Sequence, residues 1–203
     1  MSKSIGKIRA TVRQHLRDEF VTDQEYNWKN DELDTYIRGI LKEISRASPD
    51  QVVETVKTTV DSLVLDISNI KGFLGLAPEH EIEYPVGNEP PSYHNATIFG
   101  KTIRMEIYDL PGADEDVYLY CHKLHTIDSN SSTLSDELDE LLITGVCGMA
   151  AIARSQSGLG KLHKGGPRVP ADRQAWGTQK LALYRAELKA LPTFENYHTW
   201  PKS

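Results

Sequence analysis

The sequence predicts an α+β protein: a helical bundle formed by N-terminal and C-terminal helices, interrupted by a small antiparallel β insertion. Two changes of period carry this. Apolar residues recur at helical spacing up to Ile44, alternate with polar ones between Val52 and about Ile127, and return to helical spacing after Ser135. Neither helical pair has enough apolar surface for a core of its own, so the two pairs are expected to pack together across the insertion. The implied organisation is a discontinuous helical domain over 1–50 and 130–192, a β-rich insertion over 51–129, and an extended C-terminal tail over 193–203.

The first helix is read from Ile5, Ile8, Val12 and Leu16, with Lys7, Arg9, Arg13 and Arg17 mostly on its other faces. The second is the most regular stretch of the chain, YNWKNDELDTYIRGILKEISRASP at residues 26–49. Trp28 is placed as a staple, Lys29 or Asn30 near the cap, and Asp31 and Glu32 in the first turn, where the helix dipole favours carboxylates. Leu33, Tyr36, Ile37, Ile40, Leu41 and Ile44 make its buried face. Asp34 and Arg38, four residues apart, are placed on the open side, to meet solvent or a neighbouring subunit. Pro49 disfavours helix at Ser48 and so ends it.

Strands are read at Leu63–Ile67, Glu81–Tyr84, Ile103–Ile107 and Val117–Cys121, where apolar and polar residues alternate. Turn signals separate them at Asp61-Ser62, Gly87-Asn88, Pro90-Pro91, Gly100-Lys101 and Leu110-Pro111-Gly112, the last fitting a turn with Pro and Gly in its central positions. Residues 70–77 are too broken by glycine to assign. A third helix starts at Ser135-Asp136-Glu137 and sets Leu138, Leu141, Leu142, Val146, Met149, Ile152 and Ala153 on one face, while Gly145, Gly148 and the alanines at 150, 151 and 153 let another helix approach closely. A fourth runs from about Ala171 to Leu191 with Trp176, Leu181, Tyr184 and Leu188, and Pro192 ends it.

With 203 residues the chain can bury a sizeable core. Its net charge of −6 argues against a protein whose main work is gripping nucleic acid, which depends on neutralising phosphates, but it suits a wall past which DNA slides. The longest apolar stretch, Leu141–Ala153, is broken by Thr144 and glycines and is far short of the roughly 20 residues of a membrane span. With no apolar N-terminal segment of the secretory kind, Cys121 and Cys147 are expected to be free thiols in a reducing compartment.

The segment YCHKLH, residues 120–125, offers zinc-type ligands, but in a strand Cys121 and His122 point to opposite faces, as do His122 and His125. It is read as a structural strand with a buried thiol and edge histidines. SGLGKLHKGG, residues 157–166, resembles a phosphate loop only in composition: Leu162 stands where Ser or Thr is needed, and no strand precedes it. What remains is charge: Arg154, Lys161, Lys164 and Arg168 lie in a stretch without an acidic residue. The acidic runs Asp114-Glu115-Asp116 and Asp136, Glu137, Asp139, Glu140 are read as solvated. No glycine pattern of a nucleophile elbow surrounds any serine. No catalytic, cofactor-binding or metal-binding residue is assigned. Phe194, Tyr197 and Trp200 fall beyond the last helix, and such aromatics either fold back or dock on a partner.

Taken together, NWKNDELDTYIRGILKEISRASP, EIEYPVG at 81–87, and VYLYCHKLH followed by STLSDELDELLITGVCGMAAIA resemble the head-to-tail connector (adaptor, head completion) proteins of tailed double-stranded DNA bacteriophages. The resemblance covers residues 3 to about 190. It implies a virion structural protein of the neck, assembled in the bacterial host, with no enzymatic activity and no cofactor. Its partners would be further copies of itself in a ring, usually of twelve, the portal above, a stopper or tail protein below, and double-stranded DNA passing without sequence recognition; no membrane is involved. On that footing Phe194, Tyr197 and Trp200 are candidate portal-binding residues, and Lys161, Lys164 and Arg168 candidates for the channel wall. The competing readings are a stand-alone protein-binding module and a small enzyme with a site of scattered residues.

Overall fold

A computed structural model of the chain describes residues 3–18, 28–78, 80–157 and 169–191. The fold is α+β, with helices at both ends of the chain and two antiparallel sheets in its middle. The described residues divide into two compact units, one built from the residues up to Ser48 together with those from His125 to Leu191, the other from Pro49–Leu124.

The helical unit contains α1 (Ile5–Leu16), α2 (Asn30–Ala47), α3 (Asp136–Ser157) and α4 (Val169–Ala190). α1 opens on Ser4, whose hydroxyl accepts from the Lys7 N–H, and closes on Arg17 in the left-handed region (φ 53°). α2 begins after Lys29 with Asp31 and Glu32 in its first turn and ends before Pro49. One continuous core joins Ile8 and Val12 of α1, Ile37 and Ile44 of α2, Leu142 of α3 and Tyr184 of α4, with Trp28 buried beside them.

Small residues set the α3–α4 distance. A Cβ on Gly148 would lie 2.8 Å from Leu181 Cγ, and one on Gly177 would lie 2.9 Å from Ile152 Cγ1 and 3.0 Å from the Gly148 carbonyl oxygen. The two backbones therefore touch where a side chain would hold them apart. Gly145 does the same toward Ile40 and Tyr184, each 3.0 Å from its added Cβ.

The β unit holds β1 (Asp50–Lys57), β2 (Val64–Asp66), β3 (Phe73–Leu76), β4 (Ile82–Glu83), β5 (Tyr93–His94), β6 (Ala96–Phe99), β7 (Thr102–Met105) and β8 (Asp116–Lys123). β8 is the centre of the larger sheet, ordered β1-β8-β4-β5, and β3 also pairs with it; the smaller sheet is β2-β7-β6. Leu65 and Ile103 of the smaller sheet share one core with Ile82, Val117, Leu119 and Cys121 of the larger.

The β unit corrects three expectations. Residues 73–76 form a strand despite Gly75, because β8 supplies the ladder and an irregularity between Phe73 and Gly75 absorbs the glycine. The chain does not turn at Pro111-Gly112 but bends at Ala113-Asp114, with Asp114 left-handed (φ 57°), and the Gly112 carbonyl accepts from the Thr58 hydroxyl at 2.7 Å. His122 is buried, not at an edge, since β8 is flanked by partners on both sides, and His125, beyond the strand, is buried in the helical unit against Ser45, Ser48 and Thr133.

Candidate interaction surfaces

Every residue to which the sequence gives a partner-binding or channel role, Phe194, Tyr197, Trp200, Lys161, Lys164 and Arg168, lies outside the described residues. Of that basic stretch only Arg154 is described, and its guanidinium stands 5.9 Å from the centre of the Trp28 ring. Beside it, His15, Arg17, Arg173, Trp28 and Trp176 line an open hollow of about 530 Å³.

The polar residues of the helical unit are used internally more than amphipathic patterning predicts. Asp34 is buried, and both of its oxygens accept from the Arg9 guanidinium, at 2.6 and 2.5 Å. The face of α2 that was expected to be open therefore meets α1 at Asp34, while Arg38 stays exposed. The pairing raises the Arg9 pKa. Arg13 donates to the Trp28 carbonyl and to Asn30 Oδ1, so the basic side of α1 is a second seam to α2, parallel to the apolar one.

Asp139 overturns the solvated reading of its acidic run. Its side chain is fully buried, with the Lys3 ammonium at 3.9 Å as its compensating charge. Burial raises its pKa, and Lys3 opposes that rise. Asp136 and Glu137 of the same run are exposed.

The thiols and histidines are structural in their surroundings. Burial pushes the Cys121 thiol up to about 11 and the Cys147 thiol up to about 12, so neither is a thiolate at neutral pH. Burial lowers the His122 pKa. His125 is fixed on both ring nitrogens, Nδ1 to the Thr133 hydroxyl and Nε2 to the Ser48 carbonyl, each at 2.9 Å. Among the described residues no three His, Cys, Asp or Glu side chains are arranged to hold a metal ion. No described helix is long and apolar enough to cross a membrane.

The β unit presents more to its surroundings. On the outer face of the larger sheet His80 stacks on Tyr93 at 4.0 Å, Tyr93 meets Tyr120 edge-on at 5.8 Å, and Tyr120 donates to buried Glu83 at 2.8 Å. That bond to a carboxylate raises the Tyr120 pKa. Tyr84, whose hydroxyl donates to Glu115, is pushed up to about 12 for the same reason. Alternation in β8 puts Tyr118 and Tyr120 on one face; the meeting of Tyr120 with Tyr93 and Glu83 required the β8-β4-β5 order. Away from this cluster Tyr108, Leu110, Val60 and Phe99 are exposed, Tyr108 fully.

No protein-family model matches this sequence, and no curated protein is significantly similar to it.

Proposed function

We propose that the chain is a structural adaptor of a bacteriophage neck. In this reading copies of it assemble as a ring beneath the portal, extend the DNA channel, and offer a platform to a stopper or tail protein. The observation that carries the reading is the resemblance of the three sequence runs to the connector family. Those runs fall, in order, on α2, on β4 and on β8 with α3. The order of a long helix, a β unit and a helix of closely packed small residues supports it.

A subunit of a closed ring needs two different lateral patches and axial contacts above and below. Met149 of α3 and Leu183 of α4 are 40% and 46% exposed, and they are proposed lateral contacts; the apolar residues of the β unit are proposed axial ones. Phe194, Tyr197 and Trp200 are proposed to dock between portal subunits, and Lys161, Lys164 and Arg168 to face the channel.

The test is size-exclusion chromatography with light scattering, and negative-stain microscopy, on the chain with and without purified portal assembly. Rings, alone or on the portal, support the adaptor. A chain that stays monomeric and leaves the portal unchanged counts against it. Removing residues 193–203 is expected to abolish portal binding, and undiminished binding would sink the role given to the three aromatics.

A further inference from the structure

The open hollow of the helical unit draws its lining from all four helices or their ends. Arg17 comes from the C-cap of α1, Trp28 from the approach to α2, Ala151 from α3, and Asp172, Arg173 and Trp176 from the first turns of α4. Trp28 and Ala151 are buried and Trp176 is half-buried, whereas Arg17, Asp172 and Arg173 are exposed. An apolar recess therefore has charge around it. Its volume of about 530 Å³ falls within the roughly 300–1,000 Å³ of clefts that hold bound groups.

That charge is positive, in a chain whose net charge is −6. Arg17 and Arg173 make no ion pair among the described residues. The Arg154 guanidinium stands 5.9 Å from the centre of the Trp28 ring and the Lys180 ammonium 5.8 Å from that of Trp176, so four cations surround two indoles. Asp172 is the one carboxylate among the lining residues. Arg17 carries a second indication. It closes α1 in the left-handed region (φ 53°), where glycine is the usual residue and a Cβ is costly. The cap itself uses only the backbone, whose N–H donates to the Gln14 carbonyl at 3.1 Å. A guanidinium is thus held at the hollow in a conformation that does not favour it, as local strain at binding sites commonly is.

We propose that the hollow binds an acidic segment of a partner protein, whose aromatic side chain enters against Trp176 and Trp28 and whose flanking carboxylates meet Arg17 and Arg173. A nucleic acid would need cations along a track to neutralise consecutive phosphates. Here they gather around a single recess, with Asp172 in its wall. The inference rests on the hollow alone and stands or falls independently of the adaptor reading.

Nuclear magnetic resonance on the full, isotope-labelled chain tests it, with the acetylated and amidated peptide DGFGD as probe at up to about millimolar concentration, the range of a weak encounter. The indole N–H signals of Trp176 and Trp28 are expected to shift saturably, with binding that weakens as salt is added. The peptides KGFGK, which reverses the charge, and DGAGD, which removes the ring, should each bind about tenfold more weakly or not at all. Arg17→Gly should weaken binding of DGFGD by about tenfold and leave the melting temperature unchanged or higher, because glycine suits the left-handed cap. A merely structural role for Arg17 predicts the reverse: a lower melting temperature and unchanged binding. Should that variant fail to fold, the three peptides on the unmodified chain still decide. No saturable shift with DGFGD, equal shifts with KGFGK, or tighter binding of a short oligothymidylate overturns the proposal. So do indole shifts that grow with protein concentration in the absence of peptide, which assign the hollow to a second copy. Binding of DGFGD that appears only once residues 20–26 are replaced by glycine and serine overturns it as well, by assigning the hollow to the chain itself.

Discussion

The helical unit and the β unit solve the same burial problem differently. In the helical unit backbones touch at Gly148 and Gly177, a large aromatic residue, Tyr184, is buried to 1% exposure, and carboxylates go inside with cationic partners. The β unit keeps a smaller core between its two sheets and leaves Val60, Phe99, Tyr108 and Leu110 exposed, together with the backbone edge of β1. Within each unit's own structure, adhesive surface is used inward in the first, apart from the hollow at Trp176, and left outward in the second. Among the described residues the β unit exposes more large apolar side chains than the helical unit, where Met149 and Leu183 are the exposed ones.

The contrast is most exposed to refutation at Tyr184. Truncating it to alanine removes a buried ring and the hydroxyl that donates to Glu43 at 2.9 Å, and is expected to cost about 4 kcal/mol in urea denaturation followed by helical circular dichroism. A loss under 1 kcal/mol would mean that the helical unit is not packed as described. The close approach of α3 and α4 is checked by sign. Gly177→Val must push on Ile152 and the Gly148 backbone and should cost about 2 kcal/mol, whereas Gly39→Ala, with nothing within 4 Å of the added Cβ, should gain up to about 1 kcal/mol of helix propensity.

Asp139 gives a pH signature. Its folded pKa is raised above the unfolded value, so its contribution to stability is fully present below the unfolded pKa and is lost as pH rises through the folded one. At pH 7 the carboxylate therefore works against folding. Asp139→Asn should raise the melting temperature at pH 7, by on the order of 1 kcal/mol in stability, with the gain shrinking as the pH falls through the raised folded pKa toward about 4. A gain that is the same at both pH values would show that charge burial is not its origin. The smallest effect belongs to the β unit: Tyr108→Ser and Leu110→Ser should each change stability by less than about 0.5 kcal/mol, because neither side chain is in the core. A larger loss would show that these residues are engaged within the chain and not left outward.

Much of the fold was legible in the sequence, and what was missed has a pattern. The stripes Leu33-to-Ile44 and Leu138-to-Val146 fixed α2 and α3 because one apolar face per helix is a local property of the chain. Alternation at Val117, Leu119 and Cys121 fixed β8 for the same reason. β1, β3, β5 and β6 were not read as strands: β3, β5 and β6 are short, and β1, eight residues long, finds its partner β8 only after the whole β unit has been traversed. Of the candidate surfaces, neither the aromatic cluster of His80, Tyr93 and Tyr120 nor the hollow lined by Trp28 and Trp176 was singled out from the sequence.

The sequence by itself determined the four helices and the strands β2, β4, β7 and β8 in their order, since period 3.6 and period 2 are written in consecutive residues and need no partner to be expressed. Only the tertiary structure decided the fate of the charged and polar positions. Asp34 and Asp139 carry the same side chain as exposed Asp31 and Asp136 a few residues away. They are buried because α1 arrives with Arg9 beside one and the residues before it place Lys3 near the other. The open edge of β1 was settled in the same way. A strand's free side is known only when all its partners are, and pairing across sixty residues is not a local property of the chain.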